Sequence, residues 1–225
     1  MDTGKYEEQL HELRSFYMRH GFSEEAIMTS ENMDVFVETS VDAYRNYPMF
    51  LYVFNGKYDE ETLARMFRVD YTSRLKKMLG IKTEGGESLI LIGPPTPKRT
   101  GLKEYIKAAD MHSLLLLLNP STYRQEAFEK YAMKMRKPYL DDKTWYIYIF
   151  GTRKALQRQG YGKKLMKVLI AFADENGYNL CLETNASENV PMYERFGFRL
   201  MDTSVFKRRL WHYVMVYDGK EVNPG

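Results

Sequence analysis

The sequence predicts an α/β (α+β) fold, and three observations carry that prediction. The C-terminal third switches hydrophobic period twice: aromatic and β-branched residues crowd 145–150, an apolar stripe at helical spacing (Leu165, Val168, Leu169, Phe172) follows over 163–175, and a short apolar run fills 180–184. Glycines separate these segments, with Gly160 and Gly162 before the helix and Gly177 after it. A short helix at 189–196, closed by Gly197, then leads into strands at 198–201 and 211–217 joined by Lys207-Arg208-Arg209. The order is strand, helix, strand, helix, strand, strand.

The first half reads mainly as helix. Tyr6, Leu10, Leu13 and Tyr17 recur at helical spacing until Gly21. A second helix is expected at 31–46, followed by the extended pair Tyr47-Pro48. Asp59 is placed to cap a third, with Leu63, Phe67, Leu75, Met78 and Leu79 near one side and Gly80 as its stop. Residues 88–92 read as a strand, in a hairpin with one just before Gly85-Gly86. Two more helices are expected at 101–118 and 120–136, parted by Asn119-Pro120. Gly93-Pro94-Pro95-Thr96-Pro97 is read as a loop within one domain, so the expected organisation is an N-terminal helical extension, 1–25, and a single domain, 26–220.

Composition narrows the classes. With 44% hydrophobic and 14% aromatic residues, the 225-residue chain can bury a core, which excludes a disordered or collagen-like protein. A net charge of +3 is too small to imply nucleic acid. Cys181 is the one cysteine, so no internal disulfide forms, and its apolar setting suits core better than nucleophile. The polar start carries no signal-peptide pattern, and the apolar run at 114–118 is too short to span a bilayer. The expectation is a cytoplasmic protein with no membrane or nucleic-acid partner and no metal.

The most informative loop is Gln157-Arg158-Gln159-Gly160-Tyr161-Gly162, between strand and helix. Glycines leave backbone N–H groups open, and the first turn of a helix offers unpaired donors with partial positive charge. Arg153, Lys154, Arg158, Lys163 and Lys164 add charge around it. Such a turn suits a phosphate. A P-loop is excluded because Gly162 is followed by Lys163-Lys164 without a hydroxyl. A dinucleotide fingerprint lacks its third glycine, since that position is Leu165. Glu183 does fall where such folds place a ribose-binding acid, but little chain follows it.

Gln157, Gly160 and Gly162 in this spacing after a strand, followed by Tyr193-Glu194-Arg195-Phe196-Gly197-Phe198, resemble the GCN5-related N-acetyltransferase (GNAT) superfamily. The resemblance covers 145–217 well and 31–95 loosely. Leu182-Glu183-Thr184 and Asn189-Val190-Pro191-Met192-Tyr193 look most like its puromycin acetyltransferase-like branch. The resemblance implies a mostly antiparallel mixed sheet of about six or seven strands, splayed at the cofactor site and flanked by helices. It implies acetyl-coenzyme A as co-substrate, a small-molecule amine as acceptor, and a monomer or homodimer.

Residue by residue, it implies that Gln157, Arg158, Gln159, Gly160, Tyr161, Gly162 and Lys163 bind the pyrophosphate, chiefly through backbone N–H groups. Ile149, Phe150 and Gly151 would pair with the pantetheine arm. Tyr193 would protonate the departing thiolate. Many family members carry a cofactor-contacting asparagine about seven residues before that tyrosine; Ala186 stands there, leaving Asn185 and Asn189 as candidates. Glu183 is the first candidate for general base, with His112 and His212 as alternatives. Tyr44, Tyr47, Phe50 and Tyr52 could line an aromatic acceptor pocket. A non-catalytic acyl-coenzyme A sensor and a nucleotide-dependent oxidoreductase are the competing readings.

Overall fold

Six strands make one mixed sheet in the computed structural model of the chain, which describes residues 3–95, 102–109 and 113–220. They are β1 (Leu79–Lys82), β2 (Ser88–Gly93), β3 (Thr144–Thr152), β4 (Asn179–Thr184), β5 (Arg199–Phe206) and β6 (Leu210–Tyr217), in the spatial order β1-β2-β3-β4-β6-β5. The β3–β4 pair is parallel and every other pairing is antiparallel. The helices are α1 (Thr3–Arg19), α2 (Met33–Ala43), α3 (Pro48–Val53), α4 (Glu60–Arg74), α5 (Leu102–Ala108), α6 (Pro120–Arg136), α7 (Tyr161–Asn176) and α8 (Val190–Glu194).

Strand alternation sends successive side chains to opposite faces and so divides the core. On one face Ile90, Ile92, Trp145, Ile147, Leu180 and Leu182 pack against Leu165, Leu169 and Phe172 of α7. The buried Leu13, Phe16 and Tyr17 of α1 join that core, and the Tyr17 hydroxyl donates to the Leu165 carbonyl at 3.0 Å. On the other face Leu89, Leu91 and Ile149 meet α2, α3 and α4, while Phe128 and Ala132 of α6 cover Phe206 and Leu210. Cys181 is buried there and burial pushes its thiol pKa up, as suits a core residue.

The expected sheet and its C-terminal order are present, while three local expectations need correction. Leu79 and Gly80 do not end a helix; α4 stops at Arg74 and they begin β1. The run Met78-Leu79-Gly80-Ile81 is too short for periodicity to separate strand from helix. Gly80 is needed for contact instead, since a Cβ there would lie 2.7 Å from the Met28 Cβ. Tyr47 is extended, but Pro48 opens α3, because the first turn of a helix does not need the missing N–H. The single helix expected over 101–118 is α5 followed by a 3-10 turn, Ser113–Leu118. His112, Thr96 and Pro97 lie outside the described residues. Among the described residues no helix is long and apolar enough to cross a membrane, and no cluster of three or more His, Cys, Asp or Glu side chains could hold a metal ion.

Candidate active site

The sheet opens between β3 and β4. Their parallel ladder runs from Thr144/Asn179 to Ile147/Leu182 and stops. Beyond it, residues 149–152 stay with β2 while Glu183 and Thr184 stay with β6, so the two arms part. A bulge opposite Leu91/Ile92 makes Tyr148 the extra residue of β3 where the parting starts. Two tyrosines from the α2–α3 junction bridge the arms. The Tyr44 hydroxyl donates to the Phe150 carbonyl (3.2 Å) and accepts from the Phe150 N–H (3.4 Å). The Tyr47 hydroxyl accepts from the Asn185 N–H at 2.7 Å and shares a 3.0 Å hydrogen bond with Thr184 Oγ1. Ile149 is buried under α2, and Gly151 lets α2 come close, since a Cβ there would lie 2.9 Å from that of Ala43.

At the end of β3 the glycine turn is open. Gln157 to Gly160 are exposed, and Arg158 (φ 64°) and Gly160 (φ 91°) adopt left-handed backbone. Nothing lies within 4 Å of a Cβ built on Gly160. Gly162 meets the opposite demand: a Cβ there would sit 2.9 Å from the Phe150 ring and 3.1 Å from Thr152 Oγ1, so its absence seats α7 on the end of β3. The first backbone bond into the helix is Lys164 N–H to the Gly160 carbonyl, 3.1 Å. No N–H from Arg158 through Lys163 has a partner among the described residues, which leaves six consecutive donors at the positive end of a 16-residue helix. The Gln157 and Gln159 side chains brace the loop on the carbonyls of Thr152 and Ala155.

Tyr193, on α8, is buried on the α7 face with its ring 6.3 Å from Phe150 and 5.9 Å from Phe198. Its hydroxyl has no hydrogen-bond partner among the described residues. Burial, with Tyr44 and Tyr47 nearby, raises its pKa well above the usual phenol value, so it stays protonated at neutral pH. Gly162, Phe150 and Tyr193 thus connect the turn to the parting of the strands. Asn189 donates to Thr184 Oγ1 at 3.1 Å, whereas the Asn185 amide donates to the Trp211 carbonyl at 2.6 Å and is committed to β6.

On the opposite face, Glu183 is the hub of a buried network. Its Oε2 accepts from Tyr146 (2.6 Å) and from Arg136 of α6 (2.9 Å), and its Oε1 lies 3.1 Å from His212 Nε2. Arg136 also donates to Glu129 at 2.6 Å and lies over the Tyr146 ring. Burial alone would raise the Glu183 pKa; the His212 hydrogen bond, the charge of Arg136 and the Tyr146 hydroxyl outweigh it and hold the carboxyl below its ordinary value. His212 is 1% exposed, and its Nδ1 is buried without a hydrogen-bond partner. A second pair, Asp70 with Arg74 at 2.8 Å, is completed by the hydroxyls of Tyr105 and Tyr148.

These two networks border an inner cavity of about 100 Å³ reached by Tyr44, Tyr47, Phe50, Glu183, Asn185 and His212. An outer groove of about 840 Å³, which takes in Tyr52, shares the wall residue Asn185 with it. The structure therefore gathers Ile149, Phe150, Gly151 and Tyr193 at the parting, the glycine turn at its outer end, and Glu183 across the sheet. Arg136 and Tyr146 were not foreseen. Arg136 stands 47 positions from Glu183 in the chain, and no local spacing signals their pairing.

Residues 139–218 match the family model of the acetyltransferase (GNAT) domain. A 58-residue stretch is 36% identical to an uncharacterized N-acetyltransferase of Schizosaccharomyces pombe, covering 26% of this chain; the chain spans 24% of that relative's length. Among solved structures, a protein from Corynebacterium glutamicum described as histone acetyltransferase HPA2 and related acetyltransferase aligns at TM-score 0.55 and 15% identity over 89% of this chain and 98% of that one. Arylalkylamine N-acetyltransferase 2 from Aedes aegypti aligns at TM-score 0.55 and 13% identity over 85% and 96%. At such identities these two likenesses establish the fold alone. The matched segment, 139–218, holds the glycine turn, the parted strands and Tyr193, and that segment is what this chain shares with the GNAT acetyltransferase domain.

Proposed function

We propose that this protein is an N-acetyltransferase that moves an acetyl group from acetyl-coenzyme A directly to a primary amine of a small molecule, or of a peptide. The observation that carries the reading is the run of six unpartnered N–H donors at the start of α7, beside a sheet that parts next to Tyr193. The open Gly160 cradle fits a diphosphate, and Arg158, Lys163 and Lys164 supply counter-charge. When bound, the co-substrate supplies a thioester carbonyl that a neutral amine can attack. The backbone of residues 149–151 pairs with its extended arm, which competes with Tyr44 for the Phe150 N–H and carbonyl. The motif around Leu182-Glu183-Thr184 and Asn189–Tyr193 keeps the puromycin acetyltransferase-like branch as the subfamily reading, and the lone buried Cys181 suits a cytoplasmic setting.

Proton transfer divides across the sheet. Tyr193 on the α7 face holds its proton at neutral pH and gives it to the departing thiolate. The base side belongs to the Glu183–His212 pair. Glu183 is held ionised and accepts from His212 Nε2–H, and in that tautomer of the imidazole the lone pair lies on Nδ1. A buried nitrogen without a partner costs about 1–3 kcal/mol, which an amine donating there would recover. Glu183 acts as the carboxylate that orients and charges the imidazole. Incubation with acetyl-coenzyme A and a panel of primary amines tests the reading: acetylated amine and free thiol are expected in equal amounts. Binding of acetyl-coenzyme A without product from any amine would turn the reading to a sensor.

A further inference from the structure

We propose that the acceptor is zwitterionic: an amine whose far end carries a carboxylate or a phosphate. This rests on the transfer reading above and names its substrate class. Two spaces on the α6 face, with Asn185 in the wall of both, carry opposite charge. The inner cavity, next to His212, is lined by the carboxylates of Asp70, Glu129 and Glu183, which share two guanidinium partners, Arg74 and Arg136, and so keep one negative charge in excess for an arriving ammonium group. The outer groove is bordered by Arg124, Lys207 and Arg209 against one carboxylate, Glu188. None of these three cations has a carboxylate partner among the described residues. The Arg124 guanidinium instead bonds the Val53 carbonyl and Ser121 Oγ, which fixes it at the wall while its charge stays uncompensated.

The hairpin tip makes the same point through its backbone. Lys207 (φ 47°) and Arg208 (φ 57°) both occupy the left-handed region, as a tight turn between β5 and β6 requires. Asn-Gly is the least strained choice for such a turn, and other residues there cost on the order of 1 kcal/mol each. This chain places Lys-Arg-Arg at the tip and so sets cations at the groove mouth. Next to them Trp211 is 53% exposed and stacks on Tyr213 at 6.2 Å and 15°, a flat apolar platform between the basic mouth and the acidic interior. An ammonium end directed inward and an anionic end directed outward match this arrangement of charge.

The test uses the full chain saturated with coenzyme A and three matched amines: para-aminomethylbenzoate, para-aminomethylphenyl phosphate and the uncharged para-aminomethylbenzamide. Trp211 fluorescence reports occupancy, with Trp211→Phe as the blank. Each anionic amine should bind at least about tenfold more tightly than the amide, the value of one charge-assisted contact. The double variant Lys207→Asn/Arg209→Gln, whose asparagine tolerates the left-handed turn, should remove most of that preference and leave the coenzyme A melting shift unchanged. Equal binding of all three amines, tighter binding of the amide, or a preference untouched by the double variant would overturn the proposal. The wild type is then given acetyl-coenzyme A and the preferred amine. Selective binding without acetylated product would leave the zwitterion site standing and overturn the transfer reading.

Discussion

On the α7 face the reactive equipment is backbone N–H groups and one phenol; on the α6 face it is carboxylates, guanidinium groups and an imidazole. The first set lies on contiguous chain, from the end of β3 through the start of α7 to α8. The second is assembled from α4, α6, β3, β4 and β6, joined by bonds such as Arg136–Glu183 and Arg74–Asp70. A backbone cradle suits a phosphate whatever the rest of the ligand, and needs only glycine and a helix end. A side-chain cavity can be changed one residue at a time, which is why we propose it as the place where an acceptor is chosen.

The contrast predicts different responses to substitution. The largest effect is expected on the side-chain face, where Glu183→Gln leaves Arg136 short of a buried partner and should cost about 3 kcal/mol in urea unfolding at pH 7. The pH dependence follows from the lowered Glu183 pKa. Its stabilisation is present above the ordinary carboxylate pKa, about 4.3, and is lost as pH falls through the depressed folded value. Wild type and variant should therefore converge in stability in strong acid. Equal stability at pH 7 would break the claim that this network organises the face.

Next in size, Tyr193→Phe and His212→Gln should each lower kcat about 100-fold, with little change in the affinity for acetyl-coenzyme A. Removal of one hydroxyl is the milder structural change, because the Tyr193 oxygen has no partner to lose. An unchanged kcat in Tyr193→Phe would make that residue structural, and in His212→Gln would remove the base from this pair. The smallest effect should come from Tyr44→Phe. Loss of its two contacts to Phe150 frees the backbone that we propose pairs with the co-substrate arm, so affinity for acetyl-coenzyme A should rise about threefold to fivefold. A fall in affinity would mean that Tyr44 supports the arm rather than competing with it.

The two faces were also unequally legible in the sequence. Gly160, Gly162 and Gly177, the stripe on α7 and the Tyr193–Phe198 segment are local patterns, and they located β3, α7, β4 and α8 with the turn at the right junction. Asp59 likewise capped its helix, accepting from the Thr62 N–H at 2.9 Å. Gly80 misled because a glycine that stops a helix and one that admits a neighbouring side chain look alike in sequence. The α6 face left no such trace. Glu183 drew notice as an acid at a strand end, but Arg136, Tyr146 and the unpartnered His212 nitrogen acquire meaning only when the sheet brings them together. Tyr44 and Tyr47 could be read as aromatic lining, yet their hydroxyl contacts to opposite arms of the sheet depend on the α2–α3 turn.

The most direct measurement is the melting temperature of the wild type and of Gly160→Val with increasing acetyl-coenzyme A. Gly160 has a left-handed φ and open space around it, so a β-branched residue strains the turn by about 1–3 kcal/mol and disorders the row of N–H donors without creating a core clash. The wild type should melt at rising temperature as ligand is added, and the variant should stay folded with almost no shift up to about 100 times the wild-type Kd. Equal shifts in both proteins, or none in the wild type, would contradict the account.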